Sequence, residues 1–511
     1  MLAYALYACL QLALQDDVRR LLPHIVDDAS YYMTIARNVA SGAGVTFDGI
    51  HKTNGFHPLW LLMLVPLFLL DKPPEMMIRL VTVLQIMLLS VAYVVFLRTQ
   101  LRLFSPRSAA LSAVLFVPLV FLPSINGMET AVLVLGLVVL YSYGASINPS
   151  EFGCRGAALL GVIVGFVVLA RIDMIVLPLV LTAFGARYAL VGENRRRVVS
   201  NLAVFGLTTS AVLAPYLVFS YRDFGTFIPI SASLKSTFPH LALSAGTVPR
   251  IASMGIVNLL FAALAMVRAL WSIWGTTPDE ASHRFYAAAI TVFAWTIALL
   301  FLLNVLFLKT GTFDWYYIPY RLFGVVVLTG VLDRGSRSTA LVQKPFRYAV
   351  IVTLLCLGVV VRNQAEDKFP RNGDWHTPAY DAAVWIREHA PLDAVFAMSD
   401  SGHFAFFSMR RVINLDGLVN NMDLQRALAR QQLDRYLREN HVGFLVQHAI
   451  HNRKDVIEGR YVSLELPFPS WRFDGLGDHI QFTRRSEVYR SAPFVDGPYP
   501  SVLVIWSLTG N

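Results

Sequence analysis

The sequence has no Gly-x-x-x-x-Gly-Lys-[Ser/Thr] loop and no dinucleotide fingerprint, so the usual backbone cradles for nucleotide phosphates are missing. Cysteine is scarce. The three present, Cys9, Cys154 and Cys356, lie in or beside apolar segments, which denies the carboxyl-terminal part a disulfide framework or a cysteine-based metal site. Charge is also sparse, at 15% of 511 residues against 55% hydrophobic, with a mean hydropathy of +0.53, a balance that excludes an ordinary soluble domain. Residues 1–14 are apolar but lack a basic leader and a small-residue cleavage site, which argues against a signal peptide. At about 1.5 Å per residue they cover only roughly 21 Å, so they read as a spanning helix cut short at Met1.

What remains is a polytopic α-helical membrane protein. Apolar runs near the length needed to cross a bilayer predict about eleven spans, at 1–14, 76–97, 108–123, 130–147, 156–170, 174–191, 198–220, 251–274, 285–308, 316–332 and 346–361. The run 59–70 is short for a span and suits a helix that lies in the interface or re-enters it. With that run left out, Arg98, Arg102 and Arg107, then Arg187 and Arg195 to Arg197, then Arg334, Arg337, Lys344 and Arg347 fall on one side of the membrane. The positive-inside tendency makes that side cytoplasmic. It also explains the excess of 43 Lys plus Arg over 34 Asp plus Glu without any nucleic-acid partner. The predicted organisation is a membrane module over residues 1–362, with an external loop at 15–75, and an extracytoplasmic α/β domain over 363–511, placed in the plasma (inner) membrane.

This topology gathers the polar stretches 15–57, 124–129, 171–173, 221–250 and 309–315 on the outer face. In the first of them, Asp27 and Asp28 open a helical pattern that Gly42 and Gly44 stop. Two readings stand: an N-cap accepting backbone N–H groups, or a catalytic carboxylate at the membrane boundary. His57, between the Asn54-Gly55 turn and Pro58, is either structural or a group that binds acceptor or metal. Glu129 is either a helix cap or an acceptor contact, and Arg171 with Asp173 either a structural ion pair or part of a site rim.

A phosphate leaving group needs cations or N–H donors as its charge develops. Lys235 and Arg222 supply them in the stretch 221–236, with ordinary snorkelling as the competing reading for Lys235. Trp315 and Tyr316 suit an interface belt or a sugar-stacking surface. From about Thr377 short elements alternate: a helix over 380–389, strands at 394–398 and 411–415, a helix over 424–439 and a strand at 442–447. Asp416 follows a strand end, as a turn residue or an acceptor-facing one.

The run Asp27-Asp28-Ala29-Ser30-Tyr31-Tyr32, the turn Thr46-Phe47-Asp48-Gly49 and the run Thr53-Asn54-Gly55-Phe56-His57-Pro58-Leu59-Trp60 resemble the first external loop of GT-C glycosyltransferases. This superfamily includes the protein O-mannosyltransferases, the lipid A aminoarabinose transferases and the lipopolysaccharide-core galacturonosyltransferases. The mannosyltransferase branch typically has Asp-Glu where this chain has Asp27-Asp28. The resemblance implies an inverting transfer of a hexosyl or pentosyl group from a polyprenyl-phosphate carrier to a hydroxyl of a glycan, lipid or protein. Asp27 would be the base and Asp28 would orient it. Lys235 with Arg222 would hold the donor phosphate, and His57, Glu129, Arg171, Asp173, Trp315, Tyr316 and Asp416 would line the substrate site. The transfer is either metal-independent or assisted by a divalent metal, and no residue is assigned to a metal. A transporter or flippase of lipid-linked sugars is the alternative; it predicts internal repeats with broken helices, and the sequence has no repeat. A catalytically dead scaffold predicts that Asp27→Asn leaves function unchanged.

Overall fold

Apolar runs become helices, and most polar interruptions become the loops that carry the candidate residues. The computed structural model describes residues 2–147, 152–191, 194–243, 246–274, 281–309, 312–336, 375–450, 486–496 and 499–508. After α1 (Leu2–Ala13) come α2 (Asp27–Ala40) and α3 (Pro58–Phe68), then α4 (Pro74–Leu103), α5 (Pro106–Phe116), α6 (Thr130–Ser146), α7 (Cys154–Ala170), α8 (Val176–Val191) and α9 (Arg195–Phe224). α10 (Ile230–Lys235), α11 (Thr247–Ser253), α12 (Ile256–Trp274), α13 (Ala281–Phe307) and α14 (Ile318–Ser336) follow. Pro58 opens α3, where its missing N–H leaves no bond unmade.

Among the described residues, seven segments are long and apolar enough to cross a membrane: Pro74–Leu103, Pro106–Ser124, Ile172–Leu190, Arg195–Phe224, Ile256–Ile273, Tyr286–Phe307 and Asp314–Asp333. α6 and α7 are apolar and shorter, at 17 residues each. The predicted span 346–361 and the domain boundary at 362 lie outside the described residues. The stretch 251–274 is not one helix, because the chain breaks at Gly255 with φ of 78°.

Because successive helices reverse direction, the loops sort to two ends. The turn after α4 is stapled to α14, where Ser105 N–H donates to Asp333 Oδ1 at 2.9 Å, and Arg197 Nη2 donates to the Phe152 carbonyl, also at 2.9 Å. The arginine-bearing turns therefore share one end of the bundle. The stretches at 15–57, 124–129, 171–173, 225–235 and 312–317 share the other.

The carboxyl-terminal unit sits on that second end. It contains α15 (His376–His389), β1 (Val395–Met398), α16 (Gly402–Ser408), β2 (Arg411–Asn414), α17 (Met422–Ala429), α18 (Leu433–Glu439) and β3 (Phe444–Ile450), then β4 (Glu487–Arg490), β5 (Phe494–Asp496) and β6 (Tyr499–Ser507). The sheet order is β2-β1-β3-β6-β4, with β5 also paired to β6. β1 runs parallel to β2 and β3 in registers Val395 to Arg411 and Phe396 to Phe444, and β6 is antiparallel to β3. The helix expected over 424–439 is two helices, because Gln431 takes φ of 55°, which no helical residue adopts. α16, all of whose residues are buried, was not expected.

Docking of this unit on the bundle is apolar at its centre and charged at its rim. Phe406 of α16 meets Phe68 of α3 at 6.1 Å between ring centres. Arg19 pairs with Asp381 at 2.7 Å and Arg387 with Glu75 at 3.0 Å, while Arg37 Nη1 donates to the Phe406 carbonyl at 2.9 Å.

Candidate functional site

α2 presents its two acidic residues to different partners, since neighbours on a helix point about 100° apart. Neither carboxylate caps α2, whose N-cap is Val26. Asp27 turns to the carboxyl-terminal unit. Its Oδ2 accepts the Gly402 N–H at 2.8 Å and its Oδ1 the His403 N–H at 2.7 Å, so it binds the first amides of α16. The approach is close: a Cβ on Gly402 would lie 2.1 Å from the Asp27 carbonyl oxygen. Burial pushes the Asp27 carboxyl well above its ordinary range, against those two hydrogen bonds.

Asp28 turns to the loops of the bundle. Its Oδ2 is 4.0 Å from Lys235 Nζ, the last residue of α10. Burial raises the Asp28 carboxyl although Lys235 opposes it. For Lys235, burial works against the charge, but Tyr316, Asp28, Asp416 and Glu129 outweigh it and the ammonium is held above its usual value. Lys235 also lies over the Phe313 ring, 5.5 Å from its centre. Its backbone is fixed from below, because its carbonyl accepts the Lys309 N–H at 3.0 Å.

The other loops close around this pair. The Asn126-Gly127 turn packs on α2, with the Val26 N–H donating to the Asn126 carbonyl at 3.1 Å and Trp60 Nε1 to the Gly127 carbonyl at 3.1 Å. Glu129 is thereby delivered beside Tyr32, whose hydroxyl donates to Glu129 Oε2 at 3.3 Å. Burial raises Glu129, with Arg171 acting against it. His57 Nδ1 accepts the Ile172 N–H at 3.3 Å, which leaves the proton on Nε2, 3.6 Å from Glu129 Oε1. Burial and Arg171 push this imidazole down to about 3, so His57 is a neutral donor at pH 7. Arg171 pairs with Asp173 at 3.1 Å, donates to the Trp315 carbonyl at 3.0 Å and lies 4.4 Å from the centre of the Tyr316 ring. Trp315 itself stacks on Phe313 at 4.6 Å.

From the carboxyl-terminal unit, Asp416 enters as a buried turn residue. Its Oδ2 accepts from the Tyr31 hydroxyl at 2.8 Å and its Oδ1 from the Leu418 N–H at 2.9 Å. The turn and site readings thus coincide, since Asp416 also contributes to the charge felt by Lys235 and Asp28. Arg222 is not brought to this group. It is exposed on the last turn of α9, while Gly225, at φ of 69°, turns the chain away toward α10. Tyr31, Tyr32, His376 and His403 were not read as site residues from sequence. The tyrosines had a signal: each lies one helical turn after one of the two aspartates.

The loop that carries His57 is wedged between the two halves. Asn54 Oδ1 accepts the Ile230 N–H at 2.9 Å and its Nδ2 donates to Ser220 Oγ at 3.1 Å. A Cβ on Gly55 would lie 1.9 Å from the Leu418 carbonyl oxygen and 3.2 Å from Ile230. Gly55→Ala is therefore expected to cost about 1–3 kcal/mol of stability as an overpacked junction, read as a lower thermal unfolding midpoint in detergent. An unchanged midpoint would refute the tight junction.

Among the described residues, one group could hold a metal ion: Asp27, His376 and His403, with ligand atoms within 4.8 Å of one another.

Residues 370–489 match the model of a domain of unknown function, DUF8728. A search of the curated proteins gives no significant match. The structure of ArnT from Cupriavidus metallidurans bound to undecaprenyl phosphate aligns with a TM-score of 0.57 and 12% identity over 99% of this chain and 98% of that one. The Archaeoglobus fulgidus oligosaccharyltransferase AglB, in complex with an inhibitory peptide and a dolichol-phosphate, aligns with a TM-score of 0.52 and 13% identity over 87% and 68%. At such identities the likeness speaks for the fold alone, and the fold shared with these structures is a helical membrane bundle carrying a carboxyl-terminal sheet domain.

Proposed function

We propose that the chain transfers a sugar from a polyprenyl-phosphate carrier to an acceptor hydroxyl on the extracytoplasmic face of the membrane, with inversion at the anomeric carbon. The observation that supports this most is the half-buried meeting of Asp28 and Lys235 at 4.0 Å, at the end of the bundle away from its arginine-bearing turns. In this reading the acceptor oxygen bonds to the anomeric carbon as the bond from that carbon to the phosphate oxygen breaks. Asp28 takes the hydroxyl proton, and the polyprenyl phosphate departs with its added charge facing Lys235, which exchanges Asp28 for a phosphate oxygen. His57 and Arg171 supply neutral and cationic donors at the rim, and Tyr316 and Trp315 offer ring faces to sugar or lipid.

Asp27 is given a positioning role, because both of its oxygens already receive amides of α16. This divides the two carboxylates the other way from the resemblance. The fold supports the donor class: of its two relatives here, ArnT was solved with undecaprenyl phosphate and AglB with a dolichol-phosphate.

The test is to purify the full chain in detergent, supply polyprenyl-phosphate sugars together with cell-envelope extract, and follow release of polyprenyl phosphate. Release that depends on the extract is expected. Wild-type protein that releases no polyprenyl phosphate from any donor offered, while remaining folded, would overturn the proposal. Mass spectrometry of envelope glycans from a deletion strain then names the sugar and the acceptor.

A further inference from the structure

We propose that Asp27, His376 and His403 form a binding site for a divalent transition metal of the zinc class, and that this ion clasps the carboxyl-terminal unit to the helix carrying Asp28.

The donor set is two imidazole nitrogens and one carboxylate oxygen, drawn from α2, α15 and α16, with Asp27 and His403 buried and His376 partly exposed. Such a set suits zinc and its neighbours; magnesium and calcium take oxygen ligands. The orientation of His403 is that of a ligand already held by an outer partner. Its Nε2 lies 3.2 Å from the Ile25 carbonyl, which can only accept, so the proton is on Nε2. The Nδ1 lone pair then accepts the Ser30 hydroxyl at 2.7 Å and lies 3.9 Å from Asp27 Oδ1, so the Ser30 O–H has to turn away as an ion enters. A metal-bound histidine commonly donates its second ring N–H to a carbonyl in this way.

Asp27 is oriented likewise. Each oxygen accepts one amide, and a carboxylate has about four lone-pair positions, so two remain for an ion.

The surroundings add a second, independent observation. The ring centre of His376 is 4.8 Å from that of His403, and Trp375 stacks on His376 at 4.4 Å. Against the same tryptophan, at 4.8 Å, lies His448 of β3, both of whose ring nitrogens are buried without a hydrogen-bond partner among the described residues.

Tetrahedral ligands about 2.0–2.1 Å from zinc stand roughly 3.4 Å apart. The widest pair must therefore close by more than about 1 Å as the ion enters. His376 can provide that movement, because it is the first residue of α15 and partly exposed. Asp28 is not in the group, so the ion is placed to hold the two halves together and stays apart from the proposed transfer.

The test uses the full chain in detergent, stripped with a chelator and titrated with zinc alone, cobalt alone or magnesium alone. Expected are about one zinc per chain, a tetrahedral cobalt spectrum in the visible, and a rise in unfolding midpoint with zinc but not with magnesium. His376→Gln and His403→Gln are each expected to weaken zinc binding by more than about 100-fold. His389→Gln, an exposed histidine on the same helix, is expected to bind as wild type. His403→Gln risks misfolding because it is buried, so His376→Gln carries the decision. Folded wild type that binds no zinc, wild-type affinity in His376→Gln, or equal loss in His389→Gln would each overturn the site. None of these readouts depends on sugar transfer.

Discussion

Asp28→Asn is expected to lower the turnover of sugar transfer by about 10²–10⁴-fold, the usual worth of a general base, while leaving the unfolding midpoint where it was or slightly higher. Asparagine has nearly the shape of aspartate but cannot take a proton. At 4.0 Å the contact with Lys235 is longer than a hydrogen bond, so no tight bond is lost. Removing one charge from a buried group that also holds Glu129 and Asp416 relieves repulsion, since both push the Asp28 carboxyl up. Asp27→Asn is expected to behave differently. Two backbone amides converge on Asp27, one on each oxygen, and the single amide oxygen of asparagine can serve only one of them. An orphaned buried N–H costs about 1–3 kcal/mol, so this variant is expected to lower the midpoint. Turnover and unfolding measured side by side separate the two carboxylates. Full turnover in Asp28→Asn, or lost turnover in Asp27→Asn with an unmoved midpoint, would reverse the roles.

That division shows what could be read from the chain and what could not. The helix start at Asp27, its stop near Gly42 and the role of Pro58 at the head of α3 follow from local propensity and are found as expected. Local pattern also separated the long apolar helices from the polar loops. It could not tell which carboxylate faces which half, because the helical phase fixes only the angle between them, and the partner of Asp27 lies 375 residues away in the chain. α16 was invisible for a related reason. Its run Gly402-His403-Phe404-Ala405-Phe406-Phe407-Ser408 is apolar on all sides and has no amphipathic period to count. The histidine pair in the proposed metal site has no ligand spacing a sequence could reveal; packing of α15 against α16 brings it together. Sequence offers Lys235 and Arg222 as cations in one loop, with Lys235 the first choice, and of the two the turn at Gly225 and the short helix α10 carry only Lys235 inward.

Lys235→Ala is the variant with the second large effect, and it acts on two quantities at once. Losing a cation that faces a developing phosphate charge is expected to cost about 10²–10³-fold in turnover, as for one oxyanion donor. The same change leaves the half-buried Asp28 beside the buried Glu129 and Asp416 without its nearest opposite charge, which is expected to lower the unfolding midpoint. A fall in activity alone would therefore be ambiguous. The double variant Asp28→Asn with Lys235→Ala resolves it, because it removes both members of the pair. Stability is expected to recover in the double variant relative to Lys235→Ala, and turnover is not. Lys235→Arg keeps the charge and is expected to retain part of the turnover, since a guanidinium offers the phosphate a different fork from an ammonium. If the double variant regained transfer along with stability, Asp28 would not be the base and Lys235 would be only its structural counter-charge, and the phosphate would have to be met by another cation, with Arg171 next in reach of the same acidic group.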